Sequence, residues 1–148
     1  MGTRIGPGIV EIDTRLGGHD RVTAGYLIEG PAPVLVETVS QTSVPAVLAA
    51  LEDLGVDPGD LAGLAVTHIH LDHAGGVGDL ARAFPEATVY VHEKGARHLV
   101  DPTRLVASAA TVYGDLIDTL YGRLAPTEAD RIQVLADGEE VTVARDGP

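Results

Sequence analysis

Apolar residues recur along this chain in two rhythms, short strand-like runs and longer stretches at helical spacing, and their order predicts a sheet with helices packed on it. Ile9 to Ile12 and Val22 to Ile28 read as strands joined through the turn-rich Gly17-Gly18-His19-Asp20. Val34 to Glu37 follows after Pro31 and Pro33 as the third strand of a meander. Ser43 is placed to cap a helix carrying Val44, Val47, Leu48, Leu51 and Leu54, with Gly55 as its stop. A strand over Leu64 to Val66 leads into a polar hexapeptide and Gly75-Gly76. A helix with Val77, Leu80, Ala81 and Phe84 comes next and ends before Pro85, and Thr88 to His92 is another strand. From Asp101-Pro102-Thr103, the positions Leu105, Val106, Ala109, Val112, Tyr113, Leu116, Ile117, Leu120 and Tyr121 describe one helix over 103–121, bent near Gly114. Gly122 to Asp130 is a loop, and Arg131 to Leu135 and Glu140 to Val143 read as strands across an Asp137-Gly138 turn.

The hexapeptide is His68-Ile69-His70-Leu71-Asp72-His73, and it holds three of the chain's six histidines. Imidazole and carboxylate together suit zinc, iron or manganese, while Ile69 and Leu71 turn toward a core. On extended backbone, side chains two apart share a face, so His68, His70 and Asp72 point one way and His73 another. One loop then serves two adjacent ions. A helical zinc motif spaces its histidines four apart, which this run does not. Gly75 and Gly76 allow close backbone approach. Either they only let the turn close, or they bring the next helix near enough for its free N–H groups to hold an anionic part of a substrate.

Composition narrows the picture. The 148 residues are 45% hydrophobic, enough for one compact domain over 1–148 with a single core, and only 3% aromatic, so that core is built from Val, Leu, Ile and Ala. With no cysteine, every protein ligand must be His, Asp or Glu. The net charge of −12, with ten scattered Lys and Arg, disfavours nucleic acid. The start, Met1 to Gly8, lacks a basic and then apolar leader, and no segment reads as a membrane span, so a soluble cytoplasmic protein is expected.

The run Thr67-His68-Ile69-His70-Leu71-Asp72-His73-Ala74-Gly75-Gly76, preceded by its hydrophobic strand, resembles the signature loop of the metallo-β-lactamase-fold hydrolases. The likeness extends through the strands Val22 to Ile28 and Val34 to Glu37, the helix after Ser43 and the strand Thr88 to His92, which is the first half of that family's domain. It implies an α/β (α+β) fold, half of an αββα sandwich, with a mixed sheet and helices on its outer face. It also implies that His68 and His70 hold one ion and Asp72 and His73 a second, the pair being Zn2+, with Fe or Mn as alternatives. Asp72 would be catalytic as well, orienting the attacking water and shuttling its proton.

Glu37-Thr38 stands where the family often has an aspartate and then a glycine. Glu37 would orient a ligand imidazole from behind, and Val39 is a β-branched residue where positive φ is poorly tolerated. The 103–121 helix packs on the core, roofs the site with Tyr113 or Tyr121 facing a small-molecule substrate, or forms a dimer interface. His19, His92 and His98 match none of the family's ligand positions. The implied activity is hydrolysis of an ester, lactone or thioester, as in the glyoxalase II-like or lactonase-like branches. The alternatives are an iron-dependent sulfur dioxygenase of the same fold, or an inert fragment or non-catalytic interaction module. The family's remaining ligands come from a second half, so a C-terminal complementing segment or chain, or self-association, is expected to complete the site.

Overall fold

Strand pairing changes sense midway across the sheet of this protein, whose computed structural model describes residues 2–143. Seven strands lie side by side in chain order. β1 (Gly2–Gly6), β2 (Ile9–Asp13), β3 (Ala24–Ile28) and β4 (Val34–Val36) form an antiparallel meander. Beyond β4 the pairing is parallel, which requires a crossover between each strand and the next. α1 (Val44–Asp53) leads to β5 (Gly63–Ala65). The short α2 (Leu71–Ala74) and α3 (Val77–Ala83) lead to β6 (Thr88–His92), and α4 (Glu93–Val100) and α5 (Thr103–Tyr113) lead to β7 (Ile132–Leu135). No helix among the described residues is long and apolar enough to cross a membrane.

The period-two alternation puts Val10, Ile12, Leu27, Leu35, Leu64, Val89 and Val91 on one face, none more than 2% exposed. Val47 and Leu51 of α1, Val77 and Leu80 of α3 and Leu99 of α4 join them in one core. The intervening residues Ile9, Tyr26, Val34, Val36 and Ala65 face the other way and are half-buried, and Ile28 is 44% exposed. Helices therefore cover one side of a mixed sheet, and the described residues leave an apolar second side partly open.

Several boundaries differ from the sequence expectation for local reasons. The expected helix over 103–121 is two pieces. α5 stops at Tyr113 because Gly114 adopts φ 57° and ψ −132°, and a π-helical turn, Ile117–Tyr121, follows. No strand forms over 140–143. Those residues are irregular and mostly exposed, and among the described residues β7 pairs only with β6. Ser43 starts α1 but does not cap it with its side chain, since its hydroxyl lies 2.9 Å from that of Ser40.

Two elements went unforeseen. β1 has a single large apolar residue, Ile5, and exists through its ladder with β2. α4 reads as polar, Glu-Lys-Gly-Ala-Arg-His, but the Lys94 N–H donates to His92 Nδ1 at 3.1 Å and starts the helix. Met1 and the tail 144–148, near which a second half would begin, lie outside the described residues.

Leu64 sits at the centre of this core with no exposed surface. Leu64→Ala is expected to destabilise the fold by about 3 kcal/mol, read as a lowered urea midpoint at unchanged m value.

Candidate metal centre

The ligand loop begins where β5 ends and is gripped from the adjacent turn after β4. The parallel register pairs Val36 with Ala65, and Glu37 N–H donates to Ala65 O at 2.9 Å, so Glu37 and Thr67 emerge side by side at the carboxyl ends of their strands. The Glu37 side chain is buried, 7% exposed, and receives three donors from the loop. Thr67 N–H donates to Oε1 at 3.1 Å, the Thr67 hydroxyl donates to the same oxygen at 2.5 Å, and His73 Nδ1–H donates to Oε2. A hydroxyl has one proton to give. With it on Glu37, Thr67 Oγ1 accepts from His68 Nδ1–H, 3.0 Å away. One buried carboxylate thus sets the tautomer of two imidazoles, His73 directly and His68 through Thr67, and leaves Nε2 of each with a free lone pair.

The predicted alternation holds only for the first part of the loop. His70 is the last extended residue, and Leu71 to Ala74 form a helical turn, with His73 N–H and Ala74 N–H donating to His70 O at 2.9 and 2.8 Å. Asp72 and His73 are therefore presented by a helical turn, with His73 Nε2 3.3 Å from Asp72 Oδ2. The His68 ring centroid lies 3.9 Å from that of His73 and 5.1 Å from that of His70. His68 and His70 are exposed, and Asp72 and His73 half-buried.

Three imidazoles and a carboxylate suit zinc in kind, and the free Nε2 atoms are the donors a zinc site uses. In number they fall short, since among the described residues no three such side chains are arranged to close on one ion. The glycines after the loop serve packing. A Cβ on Gly75 would lie 2.3 Å from Leu71 O, and one on Gly76 would lie 2.5 Å from Thr38 O. Their N–H groups are occupied by Leu71 O and Val39 O, so neither is available to an anionic ligand.

Beside the loop is a cavity of about 380 Å³, lined by His70, Leu71 and Asp72 on one side and by α5 with Tyr113 and Tyr121 on the other. The two tyrosine rings meet edge to face, centroids 4.9 Å apart. Burial, a hydrogen bond with Tyr113 and the charges of Tyr113 and Asp72 hold the Tyr121 phenol above the ordinary tyrosine range. The π turn carrying Tyr121 is tied down by the turn after β4. Thr42 Oγ1 donates to Leu120 O at 2.6 Å, and Gln41 accepts from Arg123 N–H at 2.7 Å while donating to Asp79 Oδ2 of α3 at 3.0 Å.

The family model described as "Metallo-beta-lactamase superfamily" matches residues 18–146. The chain belongs to the metallo-beta-lactamase superfamily. A hydroxyacylglutathione hydrolase of Nitrobacter winogradskyi is 30% identical over 127 residues, covering 82% of this chain and 46% of that protein. Metallo-beta-lactamase domain-containing protein 1 of Xenopus laevis is 43% identical over 49 residues, 33% of this chain and 21% of that one. Among solved structures, native FEZ-1 metallo-beta-lactamase from Legionella gormanii superposes with TM-score 0.70 at 22% identity, covering 95% of this chain and 48% of that one. A B3 metallo-beta-lactamase with an active-site glutamic acid gives TM-score 0.71 at 24% identity, covering 97% and 48%. The chain spans less than half the length of each of these relatives. Proteins of this superfamily are hydrolases that generally bind zinc, and the mixed α/β architecture above is their fold.

Thr67 is the residue that sequence reasoning passed over. Its signal was a hydroxyl directly before the first histidine of the motif and opposite a carboxylate at the end of the neighbouring strand. Glu37→Gln is expected to lower zinc affinity by roughly ten- to a hundredfold, and Thr67→Val by less, measured by competition with a chromophoric chelator. Equal affinity in wild type and Glu37→Gln would show that the carboxylate does not orient the ligands.

Proposed function

We propose that this chain provides the first half of the active site of a cytoplasmic, zinc-dependent hydrolase acting on an ester, lactone or thioester, with His68 and His70 toward one ion and Asp72 and His73 toward a second. The observation that carries the reading is the Glu37–Thr67–His68 and Glu37–His73 network, which orients two imidazoles, His73 with its Nε2 3.3 Å from the Asp72 carboxylate, next to a cavity that Asp72 and His70 line. The hydroxyacylglutathione hydrolases among the relatives lend the thioester branch limited support, at 30% identity for the longest match. Bound zinc would lower the pKa of a water and polarise the carbonyl under attack.

The chain's own residues do the rest. Glu37 and Thr67 hold the imidazoles in the ligating tautomer. Asp72 accepts the proton of the attacking water and returns it to the departing alkoxide or thiolate, so that one acyl C–O or C–S bond is exchanged for a C–O bond to water. Tyr113 and Tyr121 border the cavity where the substrate's carbonyl neighbourhood would lie, with the Tyr121 phenol held protonated as a hydrogen-bond donor. Further ligands come from a complementing C-terminal segment or chain, or from a second copy, seated on the partly open apolar side of the sheet. Ile28, Val34, Val36 and Ala65 on that side support this part of the reading.

Asp72→Asn and Asp72→Ala, made in the completed protein, are expected to abolish hydrolysis of ester, lactone and thioester substrates with the circular dichroism spectrum unchanged. An active Asp72→Ala protein would refute the assignment. Metal analysis of the purified protein is expected to return zinc and no oxygen consumption. One iron with oxygen uptake would overturn the hydrolytic reading.

A further inference from the structure

We propose that the cavity between the ligand loop and α5 selects a neutral substrate with an apolar tail, a specificity that rests on the hydrolytic reading of the site and that Val112 controls. Of the polar groups of the cavity, His70, Asp72 and Tyr121 sit on the ligand loop and the π turn, while α5 lines it with Leu105, Ala109 and Val112 together with Ser108 and, at its end, Tyr113. A reacting carbonyl placed at the polar end leaves the remainder of the molecule on the apolar wall. Among the described residues no lysine or arginine lines the cavity and the one lining carboxylate is Asp72, in a chain of net charge −12. An anionic tail would be repelled here with no cation to receive it.

Size narrows the class further. About 380 Å³ is near the lower end of small-molecule pockets, roughly 300–1,000 Å³, and gives room for a short acyl chain. The wall also continues past the cavity rim. Leu105, Val106, Ala109 and Ala110 of α5 pack partly buried against the core, whereas Val112 is 75% exposed and Leu116, just after the helix, 56% exposed, so this end of the apolar stripe is left uncovered by the described residues. Continuity with the cavity that holds Asp72 assigns that stripe to the tail of the substrate.

The test is titration of the metal-free chain with octanamide, a neutral apolar amide, and separately with citrate, followed by amide NMR and calorimetry. Octanamide is expected to bind saturably with shifts at Leu105, Ala109 and Val112, and citrate to leave them unmoved. Val112→Asp should weaken octanamide by roughly tenfold or more, because a bound tail would strip water from one side of the new carboxylate, while Val112→Leu should retain binding. Val112 is exposed, so neither variant threatens the fold.

Absence of saturable binding, indifference to Val112→Asp, or preference for citrate would each overturn the proposal. So would a dimer dissolved by Val112→Asp in a protein that ignores octanamide, since the face would then belong to a second copy. Zinc affinity measured on the same samples separates the two ideas. Zinc bound without an octanamide site sinks the specificity alone, and octanamide bound by a chain that cannot take zinc sinks the hydrolytic reading on which it rests.

Discussion

A buried carboxylate is the interaction on which the rest of this site depends. Taking Glu37 out of water is costly unless donors replace its hydration, and here a backbone N–H, a hydroxyl and an imidazole N–H do so. All three belong to the segment after β5, so the satisfaction of one side chain and the placement of the ligand loop are the same event. The parallel pairing of β4 with β5 sets the distance between them, and a slip of one residue would turn Glu37 to the other face of the sheet.

That arrangement requires backbone that side chains normally avoid. Glu37 lies at φ 71° and Val39 at φ 49°, left-handed conformations costing roughly 1–2 kcal/mol each for residues other than glycine. The fold holds them there. Thr38 N–H and Oγ1 both donate to His73 O at 3.2 and 3.1 Å, Gly76 N–H donates to Val39 O at 2.9 Å, and the Val39 side chain is 1% exposed in the core. Strain in the turn after β4 is thus balanced by bonds to the ligand loop, and the two loops behave as one unit. Through Gln41 and Thr42 the same unit reaches α3 and the π turn, which ties the position of Tyr121 to that of the imidazoles.

Much of this was legible in the sequence. The histidine cluster, the apolar strand before it and the glycines behind it are local features, and local features survive folding. Glu37 was legible through the family resemblance, since it stands where that family often carries an aspartate after the strand. The relay through Thr67 was not, since which nitrogen of His68 faces a hydroxyl depends on the register between two strands. The helical turn at Leu71 broke the expected alternation because His73 N–H and Ala74 N–H close on His70 O, a local bond that competes with extended backbone. α4 was hidden because the only large apolar side chain it buries is Leu99, helped by a partly buried Ala96 and a glycine that must stay small, a Cβ on Gly95 lying 2.5 Å from Ile69 Cγ2.

By itself the sequence determined the order of the strongly periodic elements from β2 to β6, with β1 and α4 escaping it, and the chemical kind of the donors, because periodicity and residue type are properties of the chain alone. Only the tertiary structure decided which donors meet. It brought Tyr113 and Tyr121, 41 and 49 residues downstream of Asp72 in the sequence, to the cavity that Asp72 lines. It closed three donors on Glu37 and left the metal-ligand side chains of the described residues without a third partner on any one ion. The physical reason is that a helix broken at Gly114 and a register between parallel strands are set by packing across the sheet, and no local spacing encodes the distance between residues that packing brings together.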